Sequence, residues 1–261
     1  MMTVEKSPKI VAIIQARMGS TRLPGKVLLP VNDRPVLAWV VERVKLAETI
    51  DQIVVATTDH SDDQPVVDLC RRAGYRYVRG DQYDVLDRYY QAARESRAEV
   101  VVRITGDCPL IDPGVIDKTV NAFLQAQPAC DFAANRLPPP GKRTYPIGLD
   151  TEVCSFQALH TAWEEAEEPH QREHVMPYLY EEEGRFNVVI VDHHTDLGGL
   201  RWTVDTPQDL KLIRKIVEKL DGRLDFGWLE VVNLIKQEPE LALINEEVEA
   251  KNFFDYQEQQ E

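Results

Sequence analysis

The chain has 261 residues, a hydrophobic content of 43% and a net charge of −14, which is enough apolar mass for one well-filled α/β core. No apolar run reaches the roughly 20 residues that span a bilayer, and no basic-then-apolar leader opens the chain, so no membrane partner is expected. The acidic balance argues against nucleic acid, whose phosphates demand a basic surface. Half of that charge lies in residues 237–261, where eight acidic side chains accompany one lysine. The rest of the chain is therefore only moderately acidic. Cys70, Cys108, Cys130 and Cys154 are dispersed, without C-x-x-C spacing. They read as reduced, mostly buried thiols of a cytoplasmic protein.

In chain order, Ile10-Val11-Ala12-Ile13-Ile14 predicts a strand buried on both faces. The polarity then switches. Arg17, Arg22 and Lys26 share a loop with Gly19, Ser20, Thr21, Pro24 and Gly25. A strand followed by a Gly-containing cationic loop presents backbone N–H groups and positive charge to a phosphate chain, so the loop is expected to hold a nucleotide triphosphate. The bland alternative is an ordinary basic surface turn. A P-loop does not fit, because it puts four residues between its glycines and Ser or Thr after its lysine. Here five residues separate Gly19 from Gly25, and Val27 follows Lys26. No G-x-G-x-x-G dinucleotide fingerprint occurs either.

Helical periodicity starts at Pro35 and returns over 64–73, about 84–97 and 113–125, alternating with buried strands over 52–57, 75–79 and 99–105. That alternation implies a parallel sheet with a nucleotide site at the carboxyl ends of its strands. After residue 112 the pattern changes. Residues 131–134 lead into a loop with three consecutive prolines, which continue neither a helix nor a central strand. Strands over 147–153, 186–191 and 200–204 are expected beyond it, with helices over 157–168, 171–183, 208–220 and 228–235. Past Pro239 comes the acidic tail with Phe253, Phe254 and Tyr256. It is either solvated or an arm that packs its aromatics on a partner chain.

Each early strand runs straight into polar chemistry: Gln15-Ala16-Arg17, Thr58-Asp59, Arg79-Gly80-Asp81 and Gly106-Asp107. Polyphosphate chemistry calls for a divalent ion, and magnesium takes one or two carboxylates plus phosphate oxygens. Asp107 and Asp205 lie 98 positions apart, each where a strand is expected to end. Asp205-Thr206-Pro207 is also a helix start, so either member of the Asp-Thr pair is able to cap while the other binds metal.

At this point the residues become specific. The loop Ala16-Arg17-Met18-Gly19-Ser20-Thr21-Arg22-Leu23-Pro24-Gly25-Lys26 resembles that of cytidylyltransferases that activate sugars, such as CMP-KDO synthetase and acylneuraminate cytidylyltransferase. The resemblance is strongest to the relatives named for spore coat polysaccharide biosynthesis protein F. Further motifs follow in the same order: DVLDRYYQAA from Asp84, RITGDCPLID from Arg103, YPIGLDTEV from Tyr145, REHVMPYL from Arg172 and RWTVDTPQDL from Arg201. The resemblance implies a Rossmann-like, mixed-sheet α/β/α sandwich of the nucleotide-diphospho-sugar transferase type. Residues 1–236 would form one nucleotidyltransferase domain with an acceptor-binding insertion at about 131–200, and 237–261 an acidic tail.

It also implies roles. Arg17 and Lys26, assisted by Ser20 and Arg22, would grip the phosphates of CTP, with Gln15, Ala16 and Gly19 in the same loop. Thr57, Asp59, Arg79, Asp84, Asp87 and Arg88 would surround the cytosine. Asp107 and Asp205 match the family's magnesium carboxylates, in agreement with the reading from the strand ends. Arg136, Asp150, Glu152, Arg172, Glu173 and His174 fall where a small acceptor is recognised, and their cations suggest an anionic one. Relatives commonly form homodimers. Cys108 follows Asp107 where the KDO and sialate enzymes carry another residue, so their acceptor does not carry over. The implied reaction joins CMP to that acceptor and releases pyrophosphate, in surface polysaccharide biosynthesis.

Three other readings compete. His170-Gln171-Arg172-Glu173-His174 fits H-x-x-E-H, an inverted zinc-protease motif, but Pro169 puts His170 at a helix start. A glycosyltransferase would consume a nucleotide sugar and needs no grip on leaving pyrophosphate. A catalytically silent nucleotide-binding subunit would keep the loop without the reaction.

Overall fold

The computed structural model describes residues 7–138 and 141–249. β1 (Ile10–Gln15) leads through the cationic loop to a short hairpin, β2 (Pro30–Val31) and β3 (Arg34–Pro35), and then to α1 (Val36–Val44). β4 (Gln52–Thr58), α2 (Gln64–Ala73), β5 (Tyr77–Gly80), α3 (Val85–Ser96), β6 (Val100–Thr105) and α4 (Pro113–Gln125) continue the alternation. Next come β7 (Phe132–Ala134), β8 (Glu152–Ser155), α5 (Phe156–Glu165), α6 (Pro169–His174) and β9 (Val188–Ile190). α7 (Pro207–Lys219) and α8 (Trp228–Gln237) follow.

The large sheet runs β5-β4-β1-β6-β8-β7-β9. β5, β4, β1 and β6 are mutually parallel, while β8 runs antiparallel to both β6 and β7. The sheet is mixed, as the resemblance implied. Gln15 of β1 pairs with Thr105 of β6 and with Ala56 of β4. The carboxyl ends of the three central strands therefore finish at one level.

Side-chain alternation along β1 explains the layering. Val11 and Ile13 pack with Leu86, Tyr89 and Leu159 of α3 and α5. Ala12 and Ile14 pack with Leu37, Val40, Val66 and Ile116 of α1, α2 and α4. The result is an α/β/α sandwich. A third cluster joins Trp39, Tyr145, Leu149, Trp202 and Val204 to the inner faces of α7 and α8. Arg43 ties it down: fully buried, it donates to the carbonyls of Ile111 (2.7 Å), Leu224 (2.5 Å) and Phe226 (3.0 Å).

Three expected elements differ. Residues 200–204 form no strand; Arg201 makes a single bridge to Ile147, and the backbone beyond it turns toward Asp107. The strand expected over 147–153 shifts to Glu152–Ser155, because residues 147–149 are occupied by that crossing. The helix expected over 171–183 stops at His174, where Val175 takes a φ of 72°. Pro177, which lacks an N–H, then starts a separate 3₁₀ turn, Pro177–Leu179. The first part of the acidic segment forms a 3₁₀ helix, Pro239–Ile244, with Leu241 in the third cluster. Phe253, Phe254 and Tyr256 lie outside the described residues. All four cysteines are buried free thiols.

Replacing Arg43 with Leu strands the buried carbonyls of Ile111 and Phe226 and the half-buried one of Leu224. The expected loss is about 3 kcal/mol or more, since each unpaired buried group costs roughly 1–3 kcal/mol. A urea melt in which the variant stays within about 1 kcal/mol of wild type would show that the carbonyls find other partners.

Candidate active site

The cationic loop leaves β1 held at both ends. Its Met18 N–H donates to Asp63 Oδ1 at 2.5 Å, and the other oxygen of Asp63 accepts from Thr58 at the end of β4. Asp63 is buried, and sequence reading passed over it. Further along, the Gly25 N–H closes on the Met18 carbonyl at 2.9 Å, with Gly25 at a φ of 68°. A left-handed backbone of this kind suits glycine. The loop is thereby folded back so that Lys26 returns to the strand end from which it departed.

Lys26 Nζ lies between two carboxylates. It bonds to Asp107 and, at 2.6 Å, to Asp205 Oδ1. Burial works against the ammonium, but the two acids outweigh it and hold the lysine above its ordinary value. For Asp205 burial also opposes the charge, and Lys26, Arg22 and Arg201 together hold its carboxyl below the usual range. Arg22 Nη2 stands 3.0 Å and Arg201 Nη2 2.5 Å from Asp205 Oδ2.

Two backbone devices bring these distant acids together. The Val204 N–H donates to the Asp107 carbonyl at 2.8 Å, which stitches the two segments side by side. Gly106 lets the end of β6 lie against β1, since a Cβ there would meet the Gln15 carbonyl oxygen at 2.7 Å. The choice between Asp205 and Thr206 is also resolved. Thr206 caps α7 in a reciprocal box with Asp209, which leaves the Asp205 side chain to the site.

These groups line a cavity of about 690 Å³, a size suited to a nucleotide-scale ligand. Of the residues singled out from the sequence, Gln15, Ala16, Arg17, Gly19, Ser20, Arg22, Lys26 and Arg88 line it, with Asp107 and Asp205. Arg136, Asp150, Glu173 and His174 also line it, at the end toward β8 and α6. Arg17 Nη2 stands 4.0 Å from Glu173 Oε1, so the loop meets α6 across the opening.

At that end the charges form a chain. Arg103 pairs with Glu152, Arg136 lies 4.0 Å from Glu152 and 3.5 Å from Asp150, and Arg143 donates to both oxygens of Asp150. Burial raises the cost of charge on Asp150, yet Arg136 and Arg143 hold its carboxyl below the ordinary value. Arg136, expected at the acceptor, thus also has acids of its own chain as partners, and Arg103 of β6, which sequence reading did not single out, anchors the chain from within through Glu152.

The other singled-out residues do not line this cavity. Thr57 is fully buried in β4. Asp59 is exposed, and its N–H pairs with the Gly80 carbonyl. Arg79 donates to the carbonyls of Thr58 and His60. Asp84 caps α3 and pairs with Arg172, while Asp87 accepts from Trp163 Nε1 at 2.8 Å. Glu152 lies behind the surface, on Arg103. His170 Nε2 sits 2.7 Å from Glu181 Oε1.

No three His, Cys, Asp or Glu side chains converge as a ready-made metal cage among the described residues. Asp107 and Asp205 nonetheless fit magnesium: two carboxylates that already share one cation are the donor set it takes when phosphate oxygens supply the remainder. No helix among the described residues is long and apolar enough to cross a membrane.

Comparison with known proteins gives the same picture at the level of family. A family model described as cytidylyltransferase matches residues 11–257, taking in the cationic loop and both acids. The chain is 30% identical over 240 residues to the spore coat polysaccharide biosynthesis protein SpsF of Bacillus subtilis, covering 89% of this chain and 96% of that one. A solved cytidylyltransferase from Leptospira borgpetersenii superposes with a TM-score of 0.84 at 31% identity, over 90% of this chain and 97% of that chain. The fold is shared at greater distance by CMP:2-keto-3-deoxy-manno-octonic acid synthetase complexed with CTP (TM-score 0.61, 22% identity, 81% of this chain and 99% of that one). A family match that takes in the cationic loop and both acids of this cavity sets aside the glycosyltransferase reading: the chain belongs to the cytidylyltransferase family and is a CTP-dependent nucleotidyltransferase.

Proposed function

We propose that the enzyme joins CMP, from CTP, to a small anionic acceptor in a magnesium-dependent reaction, for surface polysaccharide biosynthesis. The observation that carries this reading is Lys26 Nζ in contact with both Asp107 and Asp205 at the foot of the cationic loop. The likeness to a spore coat polysaccharide protein supports the pathway class. Supporting the anionic acceptor, the end of the cavity toward β8 is lined by two guanidiniums, Arg136 and Arg143, which share the carboxylate of Asp150. On this reading residues 131–200 supply the acceptor end and the remainder of 1–236 the nucleotide end.

In the reaction, an acceptor oxygen bonds to the α-phosphorus in line as the bridge to the β-phosphate breaks, and pyrophosphate leaves with the electron pair. Arg17, Arg22 and Lys26 bind the β- and γ-phosphates and offset the charge that grows on them. Gln15, Ala16, Gly19 and Ser20 shape the loop around the phosphates, and Arg88 faces the nucleotide from α3. Asp107 and Asp205 would hold a magnesium ion, which would supply Lewis-acid polarisation of the α-phosphate. Arg136, Asp150, Glu173 and His174 orient the acceptor. A phosphate or carboxylate oxygen attacks as it is; a hydroxyl gives up its proton to a carboxylate of the site.

A screen of the four nucleoside triphosphates for pyrophosphate release, against ulosonic acids, sugar phosphates and phospho-acids, is expected to select CTP with one acidic acceptor. The activity should disappear in EDTA and return with magnesium; turnover that ignores chelation removes the metal from the proposal. Asp107→Ala and Asp205→Ala are each expected to lower kcat by at least about a hundredfold, the scale of losing one preorganised charge-stabilising group, with folding intact by circular dichroism. Wild-type rates from either variant would overturn the metal assignment.

Lys26→Met has a pH signature. The folded Asp205 carboxyl lies below its ordinary value, so in wild type its contribution to stability is present above the ordinary carboxylate range and lost only as pH falls through the depressed value. Without the ammonium, Asp205 loses its first counter-charge while facing Asp107, and protonating Asp205 relieves the repulsion. The variant's deficit is therefore expected to be about 2 kcal/mol at pH 7, less than the roughly 3–5 kcal/mol of a fully buried broken pair, and to shrink toward pH 4. A deficit that stays constant across thermal melts at both pH values would mean the lysine does not hold the acids.

A further inference from the structure

Asp205 does not hold itself in place. Its backbone N–H donates to Asp209 Oδ2 at 3.0 Å, and Arg201, which pairs with its carboxylate, is itself fixed on Asp209 Oδ1 at 3.0 Å. Thr206 adds two more donors to Asp209, its N–H at 2.9 Å and its hydroxyl at 3.0 Å. Asp209 is fully buried, so its carboxylate requires all of these donors.

One further donor comes from far along the chain. Asn245, 7% exposed, extends Nδ2 to Asp209 Oδ1 at 2.8 Å and to the Arg201 carbonyl at 3.1 Å. It follows directly on the 3₁₀ helix Pro239–Ile244, whose Leu241 is sunk in the third core cluster. The same segment reaches the site again at Glu249, whose carbonyl accepts from Arg22 Nη1 at 3.1 Å while Arg22 Nη2 stands on Asp205. The acidic segment after α8 therefore touches the machinery from two directions: from behind, through Asp209 and Arg201, and from the loop side, through Arg22.

We propose that residues 239–249 form a strap that sets the position of Asp205, with Asn245 as its positioning residue for the magnesium–triphosphate complex. This rests on the assignment of Asp205 as a magnesium carboxylate. Asn245 touches neither substrate nor metal. It completes the shell of Asp209, which orients Arg201 and the backbone of Asp205, and these fix where the carboxylate points.

The test needs no acceptor. The Kd of the full-length protein for CTP is measured by calorimetry in magnesium and again in EDTA. The ratio of the two reports the metal's contribution to binding, and no turnover is involved. For Asn245→Ala that ratio is expected to fall by about tenfold, the lower end of the effect of a group that orients a metal ligand, while Kd in EDTA changes by less than about twofold. Asn245→Ser, which keeps a shorter donor, is expected to fall between the two and serves if the alanine variant does not fold. Leu241→Ala loosens the strap where it enters the core and is expected to lower the ratio in the same direction as Asn245→Ala, by less, at a temperature well below the melt. Asp205→Asn, run alongside, is expected to abolish the metal's contribution. If it does not, the metal assignment fails. If it does, and the Asn245 variants keep the wild-type ratio or merely lower Tm, the strap proposal alone is overturned.

Discussion

Two carboxylates and one ammonium make the interaction on which the rest of this structure depends. Asp107 arrives from the turn after β6 and Asp205 from the irregular segment before α7, and both are mostly shielded from solvent. Two like charges about 4 Å apart near a protein surface repel by roughly 4 kcal/mol, a large part of the stability of a domain. Lys26 reverses the sign of that term by standing between them. The loop that carries Lys26 is accordingly tied at Met18 to Asp63 and turned at Gly25, so that the lysine meets the acids without a search. Sheet register, the bare Cα of Gly106 and the Val204 to Asp107 hydrogen bond all serve the same convergence.

Much of this was legible before any coordinates. The alternating half of the chain reads cleanly because buried parallel strands and amphipathic helices have distinct periods, and α2 and α4 end where the pattern ends. The loop and the two acids were legible because each sits at an abrupt change from apolar to polar sequence. What was hidden depends on partners far away in the chain. A run such as Leu200 to Val204 has the composition of a strand, but its backbone groups are spent on Ile147 and Asp107. Asp63 and Asn245 carry no local signal, since an acid after a strand and an amide in an acidic tail are ordinary surface residues. Asp209 was readable in part: a threonine three positions before it, ahead of an apolar helix, is a capping pattern.

The nucleotide-base residues suggested by resemblance illustrate a different limit. Asp84 and Asp87 occupy motif positions and Arg79 was placed beside them, yet each already has structural work: capping α3 and pairing with Arg172, receiving the Trp163 indole, and holding the end of β4. Motif membership marks a residue as important to the fold around a site. Whether it touches the ligand is decided by which way its element faces, and only Arg88 of that group lines the cavity.

The cations of the loop are already engaged within the chain. Arg17, Arg22 and Lys26 each stand on an acid, Glu173, Asp205 and Asp107, and Arg201 stands on Asp205 as well. For a loop cation, binding phosphate therefore means leaving a carboxylate. The cations become available to phosphate only as their carboxylate partners find another positive charge, and a divalent ion entering with the nucleotide supplies one. The same pairing keeps the loop ordered while empty and discourages anions that bring no metal. Selectivity at this end follows from exchange of partners, in which metal and nucleotide arrive together, more than from any standing positive field.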